Sequence, residues 1–158
     1  MKKLMMIACM MLFSTAMFAE KGDWWVGGGF SYGIHSDYKN FGIGVKGQYE
    51  ILDNFRAIAQ VDHFFKHDDV QISDLNIDLE YAFPVTEGIN VYPIVGLAFV
   101  GHSSSNFGFL NSAKAGFNIG AGAEIPFNDK WKIFLDAKYQ IVSGWGRFVP
   151  TLGVMLAL

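Results

Sequence analysis

Residues 74–83 read Asp-Leu-Asn-Ile-Asp-Leu-Glu-Tyr-Ala-Phe, and polar and apolar side chains alternate through the stretch. In a β-strand successive side chains point to opposite faces, whereas a helix would scatter the two sets around its circumference. The polar set includes Asp74, Asp78 and Glu80, and these carboxylates need water or cations beside them. The stretch therefore predicts a strand with one apolar face and one charged face.

The N-terminus has the pattern of a secretory signal peptide. Lys2 and Lys3 precede an apolar run, and small residues follow it up to Ala19. A charged region, a short apolar region and small residues before a cleavage site are typical of such leaders. We therefore predict a signal peptide over residues 1–19, cleaved after Ala19 or alternatively after Ala16. The rest of the chain, 20–158, is then one domain.

The mature chain is acidic and has no thiol. Cys9, the only cysteine, lies inside the predicted leader, so no disulfide and no Cys-based metal or redox site is expected. Removal of Lys2 and Lys3 leaves ten basic residues against fifteen acidic ones, which argues against binding to nucleic acid. No apolar run approaches the roughly 20 residues that a membrane helix needs. Two classes remain, a soluble β-protein of the cell envelope and a transmembrane barrel.

The alternating pattern recurs along the whole mature chain. Eight strands are predicted, at 24–34, 41–51, 55–65, 70–83, 89–100, 114–127, 131–142 and 147–158. Most have at least the roughly 9–11 residues with which a tilted strand crosses a bilayer, and the connections are short. The pattern predicts an all-β fold, an eight-stranded antiparallel up-and-down transmembrane β-barrel.

Four residues depart from the regular pattern. Val70 and Ile72 are apolar but have the parity of the polar face, so we expect a bulge or a protruding edge there. Pro93 and Pro150 fall inside predicted strands, although proline cannot donate a hydrogen bond to a neighbouring strand. We expect bulges or the rim of the barrel to accommodate both prolines.

The bulk of the two faces indicates which one lies inside. The apolar face is rich in Phe and Tyr, which are too large for the interior of an eight-stranded barrel. The other face is rich in glycine, which suits a crowded interior. We therefore expect the apolar face to contact lipid. The alternative is a soluble lipocalin-like barrel of opposite polarity, with a ligand cavity lined by the apolar face.

Six basic and six acidic residues have the parity of the lumen. Charges in a narrow lumen should be paired, because an unpaired buried charge costs several kcal/mol. The predicted lumen network consists of Lys46, Glu50, Arg56, Asp62, Asp78, Glu80, Lys114, Glu124, Lys132, Asp136, Lys138 and Arg147.

The C-terminal residues resemble a known signal. Residues 151–158 are similar to the polar-x-Gly-x-x-apolar-x-apolar signal that outer-membrane barrels present to their insertion machinery. The matching positions are Thr151, Gly153, Leu156 and Leu158. The chain ends in Leu, whereas bacterial examples usually end in Phe or Trp. Residues 91–96 and 120–124 also resemble strand segments of the OmpA/OmpX-like family of eight-stranded outer-membrane barrels.

This resemblance implies a monomeric barrel in the outer membrane with both termini in the periplasm. The connections at 35–40, 66–69, 101–112 and 143–146 would then face outside. The expected partners are outer-membrane lipids and the barrel-insertion machinery, with no nucleic acid and no cofactor. We expect a structural or surface-interaction role without catalysis, and a lumen too full to conduct solutes.

Two further hypotheses come from single residues. His102 and Ser104 have the His-x-Ser spacing that resembles lipid A deacylases, although their parity places both on the lumen side. A lipid-modifying enzyme is therefore an alternative function. A divalent-cation site at the outer rim is a second possibility, because His and carboxylate side chains are common metal ligands. Its candidate ligands are His35, His67, Asp68 and Asp69. A hydrated loop is the simpler interpretation in both cases.

Overall fold

The computed structural model describes residues 24–36, 39–52, 54–67, 70–102 and 113–158. The predicted signal peptide lies outside these residues, so its cleavage site stays a prediction. No helix long and apolar enough to cross a membrane occurs in the described part of the chain.

The described residues form one closed antiparallel sheet. The strands are β1 (Trp24–Ile34), β2 (Lys39–Leu52), β3 (Phe55–His67), β4 (Val70–Tyr81), β5 (Phe83–Thr86), β6 (Ile89–His102), β7 (Lys114–Pro126), β8 (Trp131–Val142) and β9 (Trp145–Ala157). Their order is β4-β3-β2-β1-β9-β8-β7-β6-β5, and pairing of β4 with β6 closes the sheet. Only Ala82 separates β4 from β5, so the two are parts of one barrel strand. The predicted eight-stranded up-and-down barrel is confirmed.

Both ends of the described chain lie at the same end of the barrel. The backbone N–H of Leu158 donates to the carbonyl of Trp24 at 2.9 Å, and that of Ala157 donates to Lys130 at 2.8 Å. The connections after β2, β5 and β7 are at this end, which we call the termini end. The connections after β1, β3, β6 and β8 are at the opposite end, which we call the loop end.

Several strand ends differ from the sequence prediction. Residues 84–86 were expected in a turn but belong to β5, and only Glu87 and Gly88 form the turn. Gly88 has a φ of 87°, a conformation that side chains disfavour. Lys39 and Trp145 also lie in predicted connections, but they begin β2 and β9. Pairing with a neighbouring strand extends each ladder beyond the residues that alternate cleanly.

The expected irregularity near the start of β4 is present. The register between β3 and β4 shifts between Phe64 and His67, and Ile72 is fully buried inside the barrel. The two prolines were expected at bulges or at the rim of the barrel, but they occupy neither. Pro93 lies opposite the break between β4 and β5, and Pro150 lies in a gap of the β1–β9 ladder. Each proline therefore sits where one neighbouring ladder is interrupted.

The apolar face is the outer face. Phe30 exposes 61% of its surface and Leu152 exposes 54%, whereas Lys46 is buried inside the barrel. The soluble lipocalin-like alternative is therefore wrong, since it requires the opposite polarity. Glycines make room for the buried side chains. A methyl group on Gly122 would run into the side chains of Tyr92 and Asp136.

Candidate functional site: a polar lumen closed at one end

Near the termini end, one carboxylate serves two cations. Arg56 donates both terminal nitrogens to Glu124, at 2.9 and 2.6 Å, and the Lys132 Nζ lies 2.9 Å from the same carboxylate. The Asn90 amide adds a third donor at 3.2 Å. A bidentate arginine–carboxylate contact fixes geometry as well as charge. Adjacent strands and opposite walls of the barrel are thus joined here through the lumen.

At mid-height, Lys46 joins two carboxylates from opposite walls. Its Nζ lies 2.7 Å from Asp136 and 3.1 Å from Glu80. The Tyr92 hydroxyl donates to Asp136 at 2.5 Å, and the Lys46 ammonium lies 4.5 Å from the ring centre of Phe134. All five side chains are buried, so ionic and aromatic groups fill the cross-section. A cation over an aromatic face is favourable when both are withdrawn from water.

The next layer toward the loop end combines one ion pair with amides. Lys138 lies 3.0 Å from Asp78 and donates to Gln60 at 3.3 Å. The Asn118 amide nitrogen donates to Asp78 and to Asn76, each at 2.8 Å. Buried polar groups are costly unless they are hydrogen-bonded, and these amides satisfy groups that cations do not reach.

The uppermost polar layer contains two carboxylates that face each other. Asp62 and Asp74 are direct partners across β3 and β4, and both are buried. Arg147 forms an ion pair with Asp74 and also donates to Gln140 at 2.6 Å. Asp62 instead accepts from the Ser31 hydroxyl at 2.9 Å.

Asp62 depends on neutral donors. Besides Ser31, it accepts from the Gln60 amide at 2.7 Å. Among the residues that the structure describes, no lysine or arginine forms an ion pair with it. This layer therefore holds two carboxylates and a single cation.

An apolar cluster closes the lumen above this layer, at the loop end. Its buried members are Phe64, Ile72, Ala98, Val100, Val142 and Val149, with Trp145 packed against them. The Arg147 guanidinium lies 4.3 Å from the ring centre of Phe64, so it joins the cluster to the polar layers. We call this set the apolar cap.

The structure buries most of the residues predicted for the lumen. Ten of the twelve are buried inside the barrel. Glu50 is partly exposed and lies 3.8 Å from the Arg56 Nε. The inclusion of Lys114 was wrong, because this residue is exposed at the first position of β7. Its parity is that of the lumen, but strand ends extend beyond the packed interior.

The predicted set also missed important members. Asp74 has the right parity in the stretch that predicts the fold but is not among the twelve charges predicted for the lumen. With it, the buried lumen has six carboxylates and five cations. Tyr92 and the amide side chains were missed because neutral residues on the polar face carry no charge signal. Their alternation with apolar neighbours was the only available indication.

The hypotheses based on single residues gain no support. His35 stacks on Trp145 with ring centres 5.4 Å apart. Asp68, Asp69 and Ser104 lie outside the described residues, as do the side chains of His67 and His102. Among the described residues, no group of three His, Cys, Asp or Glu side chains is placed to hold a metal ion.

The four residues of the C-terminal signal divide between the two faces. Thr151 and Gly153 are buried toward the lumen, and the Thr151 hydroxyl lies 2.9 Å from that of Ser31. Leu156 is half-buried, and Leu158 exposes 76% of its surface. Their role in insertion stays a prediction.

Comparison with known proteins agrees with this architecture. Residues 5–146 match the family described as outer membrane protein beta-barrel domain. The chain belongs to this family. Its members are outer-membrane barrels, and this barrel is accordingly a protein of the outer membrane. A comparison with curated protein sequences finds no match.

Solved outer-membrane barrels have the same fold. The N-terminal β-barrel domain of Pseudomonas aeruginosa OprF is 21% identical, with a TM-score of 0.65 over 87% of this chain and 100% of that one. Neisserial surface protein A is 11% identical, with a TM-score of 0.62 over 87% and 96%. The attachment invasion locus protein Ail of Yersinia pestis, solved with the heparin analogue sucrose octasulfate, is 15% identical, with a TM-score of 0.58 over 87% and 97%.

Proposed function

We propose that this outer-membrane barrel is a monomer with a structural or surface-interaction role and that it neither conducts solutes nor catalyses a reaction. The observation that carries the proposal is the filling of the lumen. Ion pairs and amides occupy it in successive layers, and the apolar cap follows at the loop end. An eight-stranded barrel has an interior only wide enough for side chains to fill.

The same filling gives the barrel rigidity. Lys46, Arg56 and Lys138 each contact carboxylates from strands that are not their neighbours in the sheet, so the lumen joins distant parts of the wall. Breaking a buried ion pair is strongly unfavourable, which opposes any widening of the lumen. A rigid wall suits a protein that anchors external loops or reinforces the membrane.

The surface role is supported by position and by analogy. The longest connection lies at the loop end, which the family resemblance places outside the cell. Ail, a barrel of the same fold, was solved in complex with the heparin analogue sucrose octasulfate, and this supports by analogy a role in binding. We infer that membrane lipids surround the outer face and that the C-terminal residues contact the insertion machinery during assembly.

Electrical recording tests the closed lumen. Purified barrel is added to a planar lipid bilayer in concentrated potassium chloride, with a general porin as the positive control. We expect no stepwise current from this protein, because buried ion pairs, amides and the apolar cap fill the lumen in the described part of the barrel. Regular current steps from folded protein would overturn the proposal. Folding is checked in the same sample by the faster migration of the unboiled protein in SDS.

A further inference from the structure

An apolar groove crosses the outer face of the barrel. Its volume is about 570 Å³, within the roughly 300–1,000 Å³ that is usual for small-ligand sites. Its walls include Phe30, Ile43, Ile133 and Leu152, each at least 41% exposed. The floor is bare backbone at Gly28, whose Cα partners on the two neighbouring strands are valines. A missing side chain in a row of large ones produces the groove.

A polar group interrupts the apolar face beside one end of this groove. The His63 Nδ1 lies 2.9 Å from the Ser73 hydroxyl, and its Nε2 lies 2.7 Å from the Gln71 amide nitrogen. His63 is the direct Cα partner of Ile43, which lines the groove. In an antiparallel pair such partners project from the same face, about 4.5–5.5 Å apart. The polar group is therefore adjacent to the groove wall.

The polarity of the side chains indicates how deep the polar group and the groove lie in the membrane. Polar side chains are costly in hydrocarbon, so His63 and Gln71 belong at the level of lipid headgroups and esters. Gly28 lies two residues farther from the loop end than Phe30, which pairs with Ile43. The groove therefore begins beside this polar group and extends two residues deeper into the membrane, with a polar end and an apolar remainder.

We propose that this groove binds one acyl chain of an outer-membrane lipid, with the ester or headgroup atoms of that lipid against His63 and Gln71. The acyl chain covers the backbone at Gly28, and the half-buried Gln71 amide supplies hydrogen-bonding atoms at the polar end. The inference rests on the lipid contact proposed above and assigns it a specific site.

The dimensions favour a lipid over a second copy of the chain. Nine residues line the groove, whereas a stable protein interface uses about 20–30 residues from each partner. The sheet is closed, so this face offers no unpaired strand edge to another chain. A single flexible chain fits a narrow groove of this kind without requiring a large matching surface.

Native mass spectrometry with a 14-carbon diacyl phosphatidylglycerol tests the site. The variant Gly28→Leu fills the groove, and its new Cβ would contact only the Gly44 carbonyl, at 3.3 Å. Gly47→Leu is the matched control, because Gly47, in β2, also lies on the outer face of the barrel but does not line the groove. Ile43→Trp narrows the groove from its wall as a second variant. Every sample is first checked for folding by its migration in SDS without boiling.

We expect the unmodified barrel to retain one lipid at low lipid concentration. Gly28→Leu and Ile43→Trp should weaken retention about tenfold, and Gly47→Leu should not. Gln71→Leu should weaken it less, because it removes only the polar contact. Equal weakening by both glycine variants, or by neither, would mean that only unspecific surrounding lipid binds. A dimer abolished by Gly28→Leu without loss of lipid would assign the groove to a second copy. Either result would overturn the proposed lipid site. Neither would affect the proposal of a closed lumen, which the conductance measurement tests separately.

Discussion

The two ends of the polar lumen differ in the ratio of buried cations to buried carboxylates. Near the termini, Glu124 is shared by two cations, Arg56 and Lys132. Near the apolar cap, Asp62 and Asp74 face each other, and of the two only Asp74 forms an ion pair in the described structure, with Arg147. The difference shows that cations and carboxylates are not matched within each layer, and that neutral amides and hydroxyls bond to the carboxylate that has no ion pair.

Removal of the single cation near the cap should have the largest effect. Arg147→Met leaves Asp62 and Asp74 buried without an ion pair, although Gln140 still donates to Asp74 at 3.1 Å. Loss of one partner from a buried pair costs about 3–5 kcal/mol. We expect that loss in the free energy of unfolding, measured by urea titration in detergent micelles with tryptophan fluorescence. A loss of under about 1 kcal/mol would show that amides alone satisfy both carboxylates.

The corresponding change near the termini should cost less. Glu124→Gln leaves Arg56 and Lys132 without their shared carboxylate, but the partly exposed Glu50 remains close to Arg56. A hydrogen bond to a charged group contributes about 1.5–3 kcal/mol, and we expect a loss in that range in the same titration. A larger loss than that of Arg147→Met would show that the ion pairs at the termini end contribute more to stability than the ion pair near the cap.

The smallest effect is expected for Asp62→Asn. The substitution removes a charge that has no ion pair in the described structure and that faces another carboxylate, while an amide can still bond to Ser31. We expect the free energy of unfolding to change by less than about 1 kcal/mol. Lys114→Ala, at an exposed position outside the network, serves as the control.

The double variant Asp62→Asn with Arg147→Met sharpens the comparison. If the charge of Arg147 also offsets that of Asp62 in the same layer, removal of the Asp62 carboxylate should restore part of the stability lost with Arg147. Strictly additive losses would show that Asp62 and Arg147 are independent, since residues within one network normally give an interaction energy of about 0.5–3 kcal/mol.

Alternation in the sequence was sufficient to predict the barrel, and the bulk of the side chains on each face was sufficient to predict its polarity. Period two places each side chain on one of two faces without any knowledge of distant partners. The bulk of Phe30 and its equivalents, set against the glycines on the other face, then indicates which face is outside. Ten of the twelve charges assigned to the lumen follow from parity alone, whereas the burial of Ile72 inside the barrel was not predicted, since a bulge or a protruding edge was expected there.

Partner choice within the lumen depended on the tertiary structure. Parity shows that Arg56, Glu124 and Lys132 share a face, but the strand tilt and the curvature of the closed sheet set which of them meet across the lumen. Parity also cannot locate the level at which packing ends, which is why Lys114 was assigned wrongly. The groove at Gly28 has the same origin, since it exists only where residues of four strands, far apart in the chain, are brought side by side.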